Sequence, residues 1–298
     1  MERMAALIIS PYCDNNCVFC GSQPPISDHE LNKLESELEQ NIEYHLNAGF
    51  KNIELSGCDP GEYKAIHKLV KRLKDKGFKY VLLSTNGNRF SDYELAKKLV
   101  EKGLDAVKIP LYGSTADIHE SVTRKKKSFE QAVNALKNFK NLGIQVKINS
   151  LIVQQNKLDL FNLFNLMLNF TGWKNCIFSI PCLSQFSSPT NFYLPIKDLK
   201  EYITPLIHYG LINKKFPLFA EIPFCSIGFY YPYLCKSSVP PRGLQQPPDM
   251  YKSDKKDIPN YRLKKKLEMC KGCSVADKCD GFFVNDADKY GTGDLKPV

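Results

Sequence analysis

Residues 10–21 of the chain read SPYCDNNCVFCG and bring three cysteines, Cys13, Cys17 and Cys20, within eight residues. An apolar run, AALIIS (5–10), comes directly before them and predicts a buried strand. Three thiols at C-x3-C-x2-C spacing can converge on one metal centre, but they supply one ligand fewer than a structural zinc or closed iron–sulfur site takes. A [4Fe–4S] cluster held by these thiols would therefore have one iron open to another molecule.

Two other interpretations of the triad are a disulfide framework and half of a zinc site. Disulfides are disfavoured because the opening MERMAALIIS has no export signal and the total of 11 cysteines is odd. The expected compartment is therefore the cytoplasm. Zinc stays open, since C-x2-C pairs occur in many zinc modules, although the gap between Cys13 and Cys17 is unusual for a zinc knuckle.

Composition indicates a globular enzyme with one large domain and an appendage. The chain has 298 residues, 43% of them hydrophobic and 24% charged. The stretch FNLFNLMLNF (161–170) is too short to span a bilayer, so no membrane contact is expected. The formal charge of +9 is concentrated in RKKK (124–127) and RLKKK (262–266), which we interpret as solvated faces rather than a nucleic-acid site.

Strand-like and helix-like segments alternate along the first two thirds of the chain. Capping-box patterns at 27–30 and 91–94, and a capping Ser128, predict three helix starts; further helices are predicted over 62–76 and 157–170. Six β–α units predict an α/β fold, a partial (β/α)6 TIM-like barrel with helices outside a parallel sheet. The strands after the first are predicted at 52–56, 79–84, 105–111, 145–153 and 175–181.

Distinctive polar motifs lie where the predicted strands end. The cysteines follow strand one, SGCDPGE (56–62) follows strand two, STNG (84–87) follows strand three, and PLYG (110–113) follows strand four. Ligands of parallel α/β folds bind at the carboxyl ends of the strands. The motifs are therefore expected to share one site.

With its complete C-x3-C-x-aromatic-C motif, in which Phe19 is the aromatic residue, the chain resembles the radical S-adenosylmethionine (SAM) enzymes. The resemblance implies that Cys13, Cys17 and Cys20 hold a [4Fe–4S] cluster whose fourth iron chelates SAM. Reduction of the sulfonium would then release a 5′-deoxyadenosyl radical, chemistry that belongs to the cofactor.

The second family motif departs from the usual pattern. Many radical SAM enzymes have Gly-Gly-Glu-Pro after strand two, whereas this chain has Gly57-Cys58-Asp59-Pro60. By resemblance Gly57, Asp59 and Pro60 contact the SAM ammonium, with Asp59 on a shorter arm than the family's glutamate. Glu62 is an alternative carboxylate, and Cys58 is favoured as a small packing residue.

Three further polar positions are assigned by resemblance to SAM binding. Ser84 and Asn86 fall where the family approaches the ribose or the methionine part, although STNG also predicts a tight turn. Asn149, with Val153, falls where the family contacts ribose and adenine, but this match is weak. His119 is expected to be structural.

The last third of the chain holds another set of cysteines. Cys270, Cys273 and Cys279 form C-x2-C-x5-C, and Cys225 and Cys235 lie upstream. The set resembles the SPASM and twitch auxiliary-cluster domains. One auxiliary [4Fe–4S] cluster is implied, with Cys225 favoured over Cys235 as the fourth ligand and a structural zinc ribbon as the alternative.

The remaining cysteine positions carry no ligand assignment. Phe283 stands where the full SPASM pattern has a further cysteine, so a second auxiliary cluster is not expected. Cys176 and Cys182 are interpreted as buried small hydrophobes.

The expected organisation is a radical SAM barrel over residues 1–212 and an auxiliary-cluster domain over 213–298. The resemblance implies an oxidoreductase that abstracts hydrogen from a peptide or natural product, ending in crosslinking, epimerisation or oxidation. A small molecule (nucleoside, amino acid or cofactor precursor) and RNA remain alternative substrates. A zinc or iron–sulfur scaffold without activity is the alternative of another class.

The expected partners follow from the same resemblance. An external electron donor such as flavodoxin or ferredoxin would reduce the cluster. Since Cys13 stands so near the start of the sequence, no built-in leader-recognition module is expected, and a peptide leader would need a separate leader-binding protein or direct docking.

Overall fold

A computed structural model describes residues 4–10, 12–20, 28–181, 191–228 and 264–298. Its centre is a sheet of seven parallel strands whose spatial order equals their order in the chain. This confirms the predicted α/β partial barrel. The strands are β1 (Met4–Ser10), β2 (Asn52–Gly57), β3 (Tyr80–Ser84), β4 (Ala106–Pro110), β5 (Gln145–Leu151), β6 (Cys176–Ser179) and β7 (Leu218–Ala220).

The seventh strand was not predicted, because a three-residue strand is too short to show a period. It pairs with β6 through Phe178 and Phe219, so the sheet continues beyond residue 212. In the described part of the chain, seven helices accompany the sheet: α1 (Asp28–Asn47), α2 (Ile66–Asp75), α3 (Tyr93–Glu101), α4 (Ala116–Thr123), α5 (Ser128–Asn141), α6 (Leu160–Leu168) and α7 (Leu199–Asn213).

The two faces of the sheet differ in chemistry because side chains alternate along each strand. The outer face is apolar and packs in the main core, with Leu55, Val81 and Val107 fully buried. The inner face carries polar side chains. Ser84 and Lys108 are register partners there, and both contact the buried Glu54 carboxylate.

Three helix starts differ from the sequence-based prediction. Helix α3 is capped by Asp92, not Ser91, because the Asp92 carboxylate accepts from the amides of Glu94 and Leu95. Ser128 is the first residue of α5 rather than its cap; its hydroxyl bonds the Thr123 hydroxyl and the Lys125 carbonyl. The predicted helix over 62–76 begins only at Ile66, after a separate 3-10 turn at Pro60–Glu62.

Residues 264–298 form a small unit at the end of the chain. It contains a two-stranded antiparallel pair, β8 (Lys264–Lys265) with β9 (Phe282–Phe283), and the helix α8 (Val284–Tyr290). Ser27, Cys182, Cys235 and the start of the second lysine run, on which predictions were made, lie outside the described residues. Within the described ranges no helix is long and apolar enough to cross a membrane.

His119 is a buried core histidine, in the structural role that its sequence context suggested. The side chain is 2% exposed, and its Nδ1 accepts from the Tyr112 amide at 3.2 Å. Burial lowers the pKa of His119 to about 4. The ring is therefore neutral in the folded protein at neutral pH.

We expect His119 to make the fold acid-sensitive. Because its folded pKa lies below the unfolded value, its contribution is present above about pH 6.5 and is lost as pH falls toward about 4. The free energy of unfolding should drop by about 2 kcal/mol at about pH 5 through this group. Denaturant titrations at neutral pH and at about pH 5 should show a smaller drop in the free energy of unfolding for His119→Asn, which keeps an acceptor near the position of Nδ1. His208→Asn, on the exposed side of α7, should show the same drop as wild type.

Candidate metal centre

The loop that carries the three cysteines is fixed by the end of β2. The amide of Cys58 donates to the Ser10 carbonyl, and the amide of Asp59 donates to the Tyr12 carbonyl, both at 2.9 Å. Gly57 has φ +136°, and a Cβ on it would meet the Ser10 oxygen at 2.6 Å. The first glycine of the motif is thus required by the close approach of two backbones.

The C-terminal end of α4 fixes the other side of the same loop. The Asn16 and Val18 amides donate to the carbonyls of Thr123 and Val122, at 3.0 and 2.9 Å. The Phe19 ring packs edge-on against Tyr112, with centroids 5.2 Å apart. The aromatic residue of the motif therefore anchors the loop in a small apolar cluster.

The structure brings the three predicted thiols together. Burial raises the pKa of Cys13 to about 12, with further raising by the nearby Asp59 and Asp14. Burial also raises the pKa of Cys17, and the neighbouring Cys20 and Cys13 add to the shift. A crowded, partly buried thiol set loses this penalty when a cation neutralises the thiolates, so the donor set fits a metal cluster.

Asp59 is almost fully buried and joins neighbouring strand ends. One oxygen of its carboxylate accepts from the Gly61 amide at 2.8 Å and from the Thr85 hydroxyl at 2.6 Å. Burial raises the pKa of Asp59 to about 7, against the lowering effect of these two hydrogen bonds. Pro60 is the buried first residue of the following turn. Glu62, the alternative carboxylate, is half-buried in that turn.

Two predicted residues at the end of β3 have different neighbours. Asn86 faces the first cysteine: its Nδ2 donates to the Cys13 sulfur at 3.6 Å and to Asp14 at 2.7 Å. Ser84 points to the inner face, where its hydroxyl donates to Glu54 at 2.5 Å. The STNG segment therefore forms both a tight turn and one wall of the site.

Asn149 occupies the inner face of β5. Its side-chain oxygen accepts from the Ser179 hydroxyl of β6 at 3.4 Å. Asn149 lies beside Pro110 in the sheet register. Val153 is buried in the apolar cluster that also contains Tyr112. Asn149 thus lies on the polar inner face of the sheet, whereas Val153 is a packing residue.

Sequence reasoning missed three residues around the loop. Asp14 accepts from the Nδ2 atoms of Asn86 and of Asn88, and it pairs with Lys125. Lys125 belongs to the 124–127 run that we interpreted as solvated. That interpretation was wrong for this residue, because its half-buried side chain turns inward to Asp14. The position of Asp14 inside the triad was the one available signal.

A second cysteine set combines the terminal unit with the turn Phe224–Ser226 that follows β7. Cys225, Cys270, Cys273 and Cys279 line one cavity, with Phe224, Met269 and Phe282 among its apolar neighbours. Burial raises the pKa of Cys225 to about 12, and Cys279 and Cys270 raise it further. Four soft donors around one cavity fit a four-iron cluster or zinc. Cys235, the competing ligand, lies outside the described residues.

Two further positions, to which we assigned no ligand role, are core positions. Cys176 is fully buried in the main core, as predicted. Phe283 is 6% exposed and pairs with Lys264 in the β8–β9 ladder, so the position that departs from the SPASM pattern is a core position.

Comparison with known families decides the class of the protein. The sequence model described as "Radical SAM superfamily" matches residues 7–167, which include the cysteine triad and strands β2 to β5. The chain belongs to the radical SAM superfamily. Membership implies a [4Fe–4S] cluster and SAM as cofactors, in agreement with the donor set at the end of β1. The protein is thus a radical SAM enzyme.

Curated relatives of this radical SAM enzyme carry enzyme names. A probable GTP 3′,8-cyclase of Saccharolobus solfataricus is 24% identical over 68% of this chain and 65% of its own length. A probable GTP 3′,8-cyclase of Methanococcus aeolicus is 29% identical over 43% of this chain and 44% of its own. An Fe-coproporphyrin III synthase of Methanosarcina barkeri is 27% identical over 69% of this chain and 51% of its own length. The chain thus spans less than two thirds of these relatives.

Solved structures show the same fold at lower identity. Streptococcus suis SuiB bound to precursor peptide SuiA has a TM-score of 0.54 at 14% identity, covering 73% of this chain and 48% of that one. Native anSMEcpe with bound AdoMet and Cp18Cys peptide has a TM-score of 0.56 at 19% identity. The match covers 74% of this chain and 63% of that one. These likenesses support the fold of the radical SAM enzyme.

We expect Gly57→Ala to displace the cysteine loop. The added Cβ would lie 2.6 Å from the Ser10 carbonyl oxygen, in addition to the strain of φ +136°. Gly49→Ala is the matched control, since Gly49 also has positive φ but has nothing within 4 Å of the added atom. The control should lose about 1–2 kcal/mol of unfolding free energy, and Gly57→Ala should lose more and also retain less iron. Equal losses and equal iron contents would contradict the close-approach argument.

Proposed function

We propose that the protein reductively cleaves SAM and abstracts a hydrogen atom from a substrate bound against the inner face of the sheet. The observation that carries this proposal is the convergence of Cys13, Cys17 and Cys20 at the end of β1, beside Asp59 and Asn86. When bound, the cluster and SAM supply a 5′-deoxyadenosyl radical. The contribution of the chain is to bind, orient and shield these groups.

The three cysteines are proposed to ligate the cluster, and the neighbouring strand ends are proposed to hold SAM. Gly57 keeps the β2 backbone close to the cysteine loop, and Pro60 starts the turn behind it. Asp59 is proposed to attract the SAM ammonium, while its second role is to lock the turn through Gly61 and Thr85. Asn86 faces the first cysteine. Ser84 and Asn149, on the inner face, are proposed contacts for the rest of SAM.

A second [4Fe–4S] cluster is proposed for the terminal cavity. Its ligands would be Cys225, Cys270, Cys273 and Cys279, which line one cavity. A site of this kind would bind substrate or accept the electron left after hydrogen abstraction. The division into a barrel over 1–212 and an auxiliary domain over 213–298 is proposed with it, with β7 as the strand that connects the domain to the sheet.

The proposed substrate class is a peptide or natural product, modified by crosslinking, epimerisation or oxidation. The combination of a family barrel with a terminal four-cysteine cavity supports this class. An external donor such as flavodoxin or ferredoxin is proposed as the electron source, and a separate leader-binding protein is proposed for leader-guided peptides. A cytoplasmic location suits such oxygen-sensitive clusters.

A polar small molecule is the second candidate substrate. The names of the curated relatives favour it, since GTP 3′,8-cyclases and an Fe-coproporphyrin III synthase are named for small molecules. The inner face of the sheet also favours it, because Glu54, Lys108 and Ser179 offer hydrogen-bonding groups rather than an apolar wall.

The cofactor assignment predicts two separable iron sites. Anaerobically reconstituted protein should hold about eight irons and form 5′-deoxyadenosine from SAM on reduction. Cys270→Ala should lower the iron content to about four while SAM cleavage persists, whereas Cys13→Ala should also lose about four irons and abolish cleavage. Cys176→Ala, in the core away from both sets, should keep the full iron content. Colourless protein with stoichiometric zinc and no cleavage would contradict the proposal.

The substrate classes can be separated by the fate of the radical. Reduced enzyme should be incubated with SAM and either deuterated GTP or a deuterated short synthetic peptide. Mass spectrometry should then follow both 5′-deoxyadenosine and the modified substrate. A true substrate should accelerate the formation of 5′-deoxyadenosine. Deuterium from its reacting carbon should also appear in the 5′-deoxyadenosine that is formed. Transfer from the peptide alone supports the first candidate, and transfer from GTP alone supports the second.

A further inference from the structure

Lys125 lies in an unusual turn directly beneath the cysteine loop. The turn joins α4 to α5, and two of its non-glycine residues, Arg124 and Lys127, have positive φ of 53° and 66°. Such backbone conformations cost of the order of 1–3 kcal/mol each and persist where the surrounding structure imposes them. Thr123 at the start of this turn accepts the Asn16 amide of the cysteine loop. The turn and the loop are therefore held against each other.

The strained turn directs one lysine of the run inward. The side chain of Lys125 is 25% exposed and forms an ion pair with Asp14, whose side chain is 22% exposed. Its neighbours Arg124 and Lys126 are exposed. In this run, Lys125 pairs with Asp14 beside the cysteine loop, whereas Arg124 and Lys126 face solvent.

The ion pair continues to the first cysteine through one amide. Nδ2 of Asn86 donates both to Asp14 at 2.7 Å and to the Cys13 sulfur at 3.6 Å. The Asn88 amide donates to the same Asp14 oxygen at 2.9 Å. Asp14 thus orients the amide that faces the sulfur of Cys13.

The charge of Asp14 lies within a crowded acidic site. The Cys13 sulfur and carboxylate oxygens of Asp14 and Asp59 lie within 4.8 Å of one another. Two carboxylates beside a cluster ligand oppose the addition of an electron, because like charges repel strongly in a partly buried site. Lys125 neutralises one of them.

We propose that Lys125 and Asp14 are positioning residues that set the reduction potential of the cluster, by charge compensation and by orienting Asn86 toward Cys13. The proposal rests on the proposed function, since it requires the cluster to be bound at Cys13. Removal of the lysine charge should disfavour the reduced cluster, and removal of the aspartate charge should favour it.

The test is an EPR-monitored redox titration of the SAM-free, reconstituted protein, with every variant made in the Cys270→Ala background so that the signal comes from the cluster at Cys13. Lys125→Met should lower the midpoint potential, Asp14→Asn should raise it, and the double variant should return close to wild type. Lys125→Arg should retain the wild-type potential, because it keeps the charge. Lys126→Met is the matched control, since Lys126 is exposed in the same turn, and it should leave the potential unchanged.

Iron content and far-UV circular dichroism of each variant show whether it has folded and loaded its cluster. The proposal is overturned if loaded Lys125→Met has the potential of Lys126→Met, or if Lys125→Met and Asp14→Asn shift the potential in the same direction. Failure of the proposed function looks different, because wild-type protein would then bind no cluster at Cys13 and cleave no SAM.

Discussion

The site depends on the buried carboxylate of Asp59 and the backbone next to it. The Asp59 amide donates to the cysteine loop at Tyr12, and its side chain accepts from Gly61 and from Thr85. Loops after β1, β2 and β3 are thereby tied at one point. The hydrogen bonds from Gly61 and Thr85 offset part of the desolvation of this almost fully buried carboxyl group. Without this tie, the relative positions of the three strand ends would depend on each loop separately.

The sheet supports this arrangement by separating its two faces. The helices pack against its apolar outer face, which forms the core. The inner face is not part of this packing and carries polar groups such as Glu54, Ser84 and Lys108. A closed eight-stranded barrel fills its interior with branched apolar side chains. The seven-stranded sheet here instead keeps hydrogen-bonding groups on its inner face.

Much of the fold and of the metal centre could be predicted from the sequence. The strands β1 to β6, the triad at Cys13 and the set at Cys270 were predicted because short spacings and periodicities are local properties. The strand β7 was missed because three residues show no period. The caps of α3 and α5 were misplaced because Ser91 and Ser128 are good capping residue types whose hydroxyls found other partners.

The role of Lys125 shows the limit of such prediction. In the sequence it is one of four consecutive cations, and such runs are usually solvated. Only the folded turn, with positive φ at Arg124 and Lys127, distinguishes it from Lys126. Asp14 and Asn88 were missed for a similar reason, since their partners lie more than 70 residues away in the chain.

The sequence by itself determined the family, the order of the strands and the spacing of the cysteines in the two candidate sets, because these depend on local spacing and on the right-handed connection of parallel strands. The tertiary structure decided which distant residues meet: Cys225 with the terminal triad, Asp59 with Thr85, and Asp14 with Lys125. The physical reason is that charge pairing and burial act through space. Their partners are fixed only when the strand ends come together at one edge of the sheet.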